Sequence, residues 1–162
     1  MKTLITTLCL LSFICYSNAQ STIQLSDFEI LNQTNWTGQL TYKDYQSGEL
    51  STIDATTQIE ISKEKIIYNI QYVYEPHKNN KSSVKIKKNG MYFGNEMVIS
   101  NTIENGTRTI VTSYKGKDNG AKATMYITRA FNTTNCSVTK EVQLENSNKR
   151  FVRNTYTFTK VK

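Results

Sequence analysis

At 162 residues the chain has the length of a single domain, and its formal net charge of +7 makes it basic without being extreme. Such a charge disfavours basic partners and mildly favours anionic ones, such as lipid head groups or acidic glycans. No stretch reaches the ~20 apolar residues that a membrane-spanning helix needs, so a helical transmembrane protein is excluded.

The first nineteen residues read as an export signal. Lys2 supplies a positive start, Leu4 to Ile14 an apolar run, and Ser17-Asn18-Ala19 a small-x-small cleavage pattern, which places the mature N-terminus at Gln20. Cys15 follows Leu11-Ser12-Phe13-Ile14, but a lipoprotein signal needs a small residue directly before the cysteine, and Ile14 is not small. A periplasmic or extracellular protein is therefore expected, without a lipid anchor. Cys9 and Cys15 leave with the signal, so Cys136 is the one cysteine of residues 20–162 and no internal disulfide is available. The Asn-x-Ser/Thr sequons follow from the abundance of Asn, Ser and Thr, and the Lys/Asn/Ile/Tyr-rich composition has a bacterial character.

Residues 21–33 read either as a lead-in strand or as a short helix plugging one end of a barrel. Asn35 to Lys43 alternates cleanly: Trp36, Gly38, Leu40 and Tyr42 fall on one face, Thr37, Gln39, Thr41 and Lys43 on the other. Asp44 to Gly48 turns the chain. Leu50 to Ser62 alternates again, with Ile53, Ala55, Ile59 and Ile61 inward. Ile66 to Tyr74 points Tyr68, Ile70, Tyr72 and Tyr74 the same way. Glu75 to Asn80 holds the single proline and the single histidine and reads as a loop.

Ser82 to Lys88 buries Val84 and Ile86 and exposes Lys85 and Lys87, and Asn89-Gly90 is a two-residue hairpin signal. Strand material follows at Met91 to Phe93, Met97 to Ile103 and Thr107 to Tyr114. The next predicted turn is Lys115 to Gly120. Then come Ala121 to Arg129 with Ala123, Met125 and Ile127 inward, Cys136 to Glu145 with Val138 and Val142 inward, and Arg150 to Lys162. Eight to ten strands at this spacing, with no internal repeat, predict one all-β domain over residues 20–162: a single antiparallel up-and-down barrel.

Leu31 to Tyr42, with Trp36-Thr37-Gly38 opening the first strand, resembles the start of calycin barrels, the lipocalins and their fatty-acid-binding and bacterial lipocalin-like relatives. That resemblance implies a barrel end closed by Trp36, with a cation from the last strand, here Arg153, packed across it. The alternation of the last strand, which buries Val152, Tyr156 and Phe158, places Arg153 on the opposite face.

An eight- to ten-stranded barrel has room for side chains or for one small ligand. Tyr42, Tyr68, Tyr72 and Met125 are the candidate ligand contacts, since tyrosine offers an apolar wall and a hydroxyl together. Lys140 joins them because its register turns it inward, where it would meet an anionic group, lie at the rim or be re-aimed by a bulge. Lys78, Lys81, Lys85, Lys87 and Lys88 form a basic outer face that could meet an anionic envelope lipid or glycan. The span is poor in arginine and aromatics, so nucleic acid is not an expected partner. His77 has no partner in sequence, and no catalytic or metal-ligand spacing occurs, so neither an enzyme nor a cofactor is expected. The reading is an exported monomer that binds a small amphipathic ligand. The alternative is an envelope interaction module with a filled core, working through the basic face or a strand edge.

Overall fold

The computed structural model describes residues 21–162, and the export signal expected at residues 1–19 lies outside them. Ten strands follow in chain order: β1 (Thr34–Lys43), β2 (Leu50–Ser62), β3 (Lys65–Tyr72), β4 (Asn80–Lys87), β5 (Tyr92–Phe93), β6 (Glu96–Glu104), β7 (Thr107–Asp118), β8 (Ala121–Phe131), β9 (Asn135–Leu144) and β10 (Arg150–Lys160). Each pairs antiparallel with its sequence neighbour, and β1 pairs with β10, which closes an up-and-down barrel. The all-β single-barrel expectation is met at the upper end of the predicted strand number.

The lead-in is the plug, not a strand. Leu25–Leu31 forms a 3-10 helix that buries Phe28 and Leu31. Its start is fixed by Asp27, whose carboxylate accepts the Gln24 amide at 2.9 Å. Asn101 and Arg108 then hold it to the wall: the Asn101 side-chain amide donates to the Thr22 carbonyl and to Asp27, and the Arg108 guanidinium lies 3.3 Å from Asp27. Phe28 stacks between Phe93 and Phe131 with ring centroids 5.5 and 5.6 Å away, so the plug enters the apolar core. Trp36 belongs to that core at 1% exposure, and its indole N–H donates to the Thr34 hydroxyl at 2.7 Å. That bond removes the cost of an unpaired buried donor.

Several details differ from the sequence reading. The Asn89-Gly90 turn is wider than a two-residue hairpin, with Lys88, Asn89 and Gly90 all at positive φ. Glycine is required at position 90, because φ there is 89° and a Cβ would stand 2.5 Å from the carbonyl oxygen of Ile23, whose amide donates to the Gly90 carbonyl at 3.0 Å. β7 runs on to Asp118, so the predicted turn at 115–120 contracts to Asn119-Gly120, where φ of 46° and 82° matches the twist of a tight hairpin. Tyr74, expected inward, lies beyond β3 and is exposed. In β10 a bulge between Val152 and Asn154 reverses the facing, so Val152 is exposed and Arg153 is buried.

The wall is not uniform. β4 meets β5 only at Ile86–Phe93 and Lys87–Tyr92, β5 meets β6 only at Tyr92–Met97 and Phe93–Glu96, and the β6–β7 ladder begins at Met97–Ser113. The chain reverses early at Gly94-Asn95, where Gly94 takes the φ of 65° that this turn needs. Above that turn, β4 from Asn80 to Val84 and β7 from Tyr114 to Asp118 have no strand on their facing sides among the described residues. The result is a notch in the side of the barrel.

Candidate functional site

Between the plug and the notch lies a cavity of about 820 Å³. That is within the range of roughly 300–1,000 Å³ usual for small-molecule sites. Its depth is apolar, walled by Phe28, Leu31, Ile59, Phe93, Phe131 and Phe158. Its lining includes both faces of β4, the inward Ser82 and Val84 and the outward Ser83, Lys85 and Lys87, together with Gly94, Asn95 and Glu96. The cavity therefore opens sideways through the notch.

One charged network sits in this wall. The inward series of β8 continues past Ile127 to Arg129 and Phe131, and Glu96 starts β6, which β7 separates from β8 in the wall. The Arg129 guanidinium lies 2.9 Å from the Glu96 carboxylate. Thr112, fully buried, donates its hydroxyl to Glu96 at 2.5 Å and accepts from Arg129 at 2.9 Å. Arg129 also stacks 4.2 Å above the Phe93 ring. Both charges are thus used within the protein, and the depth of the cavity is close to electrically neutral.

Other polar groups line the space. Tyr68 borders the cavity void while protein surrounds it, and that loss of water, partly offset by nearby Arg129, raises its phenol above the usual range. The Thr57 hydroxyl is buried with no hydrogen-bond partner among the described residues. Tyr156, also on the lining, shares a 2.6 Å hydrogen bond with the Tyr72 hydroxyl across the barrel. Burial first and that bond second push the Tyr156 phenol up.

Cys136 borders the same space, and burial pushes its thiol up to about 12. At pH 8 only on the order of one molecule in ten thousand would carry the thiolate that reacts with disulfide reagents. Native protein is expected to leave Cys136 unmodified by a chromogenic aromatic disulfide for hours, and to react with one equivalent in urea. Rapid native reaction would show that the thiol is open to solvent.

Of the candidate ligand contacts, Tyr68 lines the cavity and Tyr72 reaches it through Tyr156, whereas Tyr42 and Met125 do not border it. Met125 packs in a separate small cluster with Ala123 and Val142, nearer the far end. Lys140 pairs with Ile127 and Asn154, one inward step beyond Val138, and is half-buried outside the cavity lining. Of the basic set, Lys85 and Lys87 border the mouth, Lys81 is exposed near the start of β4, Lys78 pairs with Glu75 at 2.8 Å, and Lys88 rests 4.6 Å over the Tyr92 ring.

Trp36 and Arg153 do not meet. Trp36 pairs with Lys160 while Arg153 bulges beside Asn154, seven positions up the same strand, so the expected packing across one end is corrected to two devices at opposite ends. Arg153 donates to the Lys43 carbonyl, stacks 3.3 Å above Tyr45 and lies 3.7 Å from Asp118. Tyr45 donates to Asp118 at 2.5 Å, which ties the β1–β2 loop across the far end. Alternation alone could not place Arg153, because a bulge shifts register without leaving a compositional mark.

The sequence reading missed Arg129, Glu96, Phe131 and the plug aromatic Phe28 as site residues. For Arg129 and Phe131 a signal existed, since both share the parity of Ala123, Met125 and Ile127. Fold and site together define a ten-stranded up-and-down barrel around a largely apolar cavity with a lateral mouth. No family model matches the chain, and neither the curated proteins nor the solved structures compared with it gave a match.

Proposed function

We propose that this protein is an exported, non-catalytic, lipocalin-like carrier that holds a small amphipathic molecule inside the barrel. The observation that supports the reading is the cavity itself: a volume of about 820 Å³, apolar depth, and an opening through the notch. A barrel with a filled core would leave no such space. The unpartnered Thr57 hydroxyl and the Tyr68 phenol give an oxygen on the ligand body something to pair with.

Mass spectrometry of protein purified from its own source is expected to show one small molecule per chain, released on unfolding. Ligand-free protein that also fails to take up single-chain amphiphiles in calorimetry would end the carrier reading. Trp36 is not on the cavity lining, so its fluorescence is a poor reporter of occupancy. The second reading, docking of the outer face on an anionic envelope polymer or lipid, is favoured by the exposed Lys81, Lys85 and Lys87 along β4. Co-sedimentation of ligand-free protein with anionic vesicles, absent with neutral ones, is the result that reading expects.

A further inference from the structure

We infer that the ligand is an anionic single-chain amphiphile held with its acid group outward, at Lys65, Lys85 and Lys87, and its apolar body in the cavity. The inference rests on the carrier reading and adds the class and orientation of the ligand.

Charge placement carries the argument. The cations that line the cavity are Arg129 in its wall and Lys65, Lys85 and Lys87 at its mouth. Arg129 already faces Glu96 at 2.9 Å, and Thr112 bonds to both. An acid group entering head-first would have to displace Glu96 or stand beside it, and two carboxylates at one cation repel in a poorly solvated site. The mouth is different. Among the described residues its lysines face one exposed carboxylate, Glu64, 3.3 Å from Lys85, while Lys87 donates to the neutral amide oxygen of Asn95 at 3.1 Å. Lys65 is opposite Lys85 in the β3–β4 ladder, so the two like charges sit side by side, an arrangement that an intervening anion relieves.

The wall supplies the matching geometry. Because β5 is two residues long and the chain reverses at Gly94-Asn95, these lysines border an opening into Phe93, Phe28 and Phe131. A molecule with a charged end in water and a hydrocarbon end among those rings leaves the Arg129–Glu96 pair intact.

The test compares dodecanoate with dodecanol by calorimetry, on the wild type and on Lys65→Gln/Lys85→Gln/Lys87→Gln. These are surface positions, so the variant is expected to fold. At low ionic strength it should bind dodecanoate about tenfold more weakly and dodecanol within about twofold of the wild type. Raising salt from about 0.02 to about 0.3 M should weaken dodecanoate binding in the wild type and leave the variant unaffected. Unchanged dodecanoate affinity in the variant would overturn the outward orientation while the carrier reading stood. Equal weakening of both ligands would overturn it too, since the lysines would then act through the shape of the mouth. If the wild type bound neither molecule, nor any other single-chain amphiphile, the carrier reading itself would fall.

Discussion

Gly38→Ala is expected to destabilise the barrel by about 3 kcal/mol, the upper part of the overpacking range, because the new methyl group meets backbone and not side chain. Gly38 sits on β1 between Phe158 of β10 and Ala55 of β2. A Cβ there collides with the Thr157 carbonyl oxygen and lies 2.8 Å from the Phe158 Cα. Neither atom can rotate away. β1 and β10 would have to separate at the seam that closes the barrel, where paired residues run from Trp36–Lys160 to Tyr42–Asn154. Gly116→Ala is the control, since its Cβ comes nearest the tip of Met125 at 3.3 Å, a flexible side chain that can yield, and lies in ordinary contact with the Tyr114 ring at 3.6 Å. Urea unfolding should therefore show a large drop in midpoint for Gly38→Ala and a change within about 1 kcal/mol for Gly116→Ala. Equal midpoints would mean that β1 and β10 do not approach closely at Gly38.

That position also shows what kind of information the sequence carried. Trp36, Gly38, Leu40 and Tyr42 announce a strand face by period, and the register with β2 and β10 keeps them on one side. The glycine in that series could be read as a member of the face, but not as the place where two backbones touch. Period-2 reading recovers facing within a strand. It is blind to where a ladder slips, and the bulge at Arg153 is the case in point: alternation puts Val152 in the core and Arg153 outside, whereas Val152 is exposed and Arg153 is buried.

The cavity was hidden for a related reason. Which residues face inward is a local property, whereas whether they fill the space depends on the wall, and the wall is interrupted because β5 is two residues long. Gly94-Asn95 was visible as a break in strand material. Its consequence, a notch between β4 and β7, is a matter of pairing across residues distant in sequence. The lysines of β4 were legible as an outer face for the same reason that Val84 and Ile86 were legible as core. That Lys85 and Lys87 also border the cavity follows from the notch alone.

Arg129→Met is expected to cost about 3 kcal/mol, and Glu96→Gln introduced beside it should recover most of that loss. The ion pair at 2.9 Å has side chains 12% and 22% exposed, and Thr112 bonds to both partners. Removing the guanidinium alone leaves a carboxylate among Phe93, Phe131 and Tyr68 with only the Thr112 hydroxyl to receive it, and a buried charge stripped of its partner typically costs 3–5 kcal/mol. Glu96 borders the open notch, so water can reach part of it and the lower end of that range applies. The paired replacement removes both charges, keeps an amide that can accept from Thr112, and lets the methionine lie against the Phe93 ring that Arg129 covers at 4.2 Å. A double-mutant cycle in urea should return a coupling of about 2 kcal/mol. Additive single effects would mean that each charge is solvated through the mouth on its own. The pair would then be no barrier to an acid group entering the cavity, and the reason given for an outward-facing ligand would be lost.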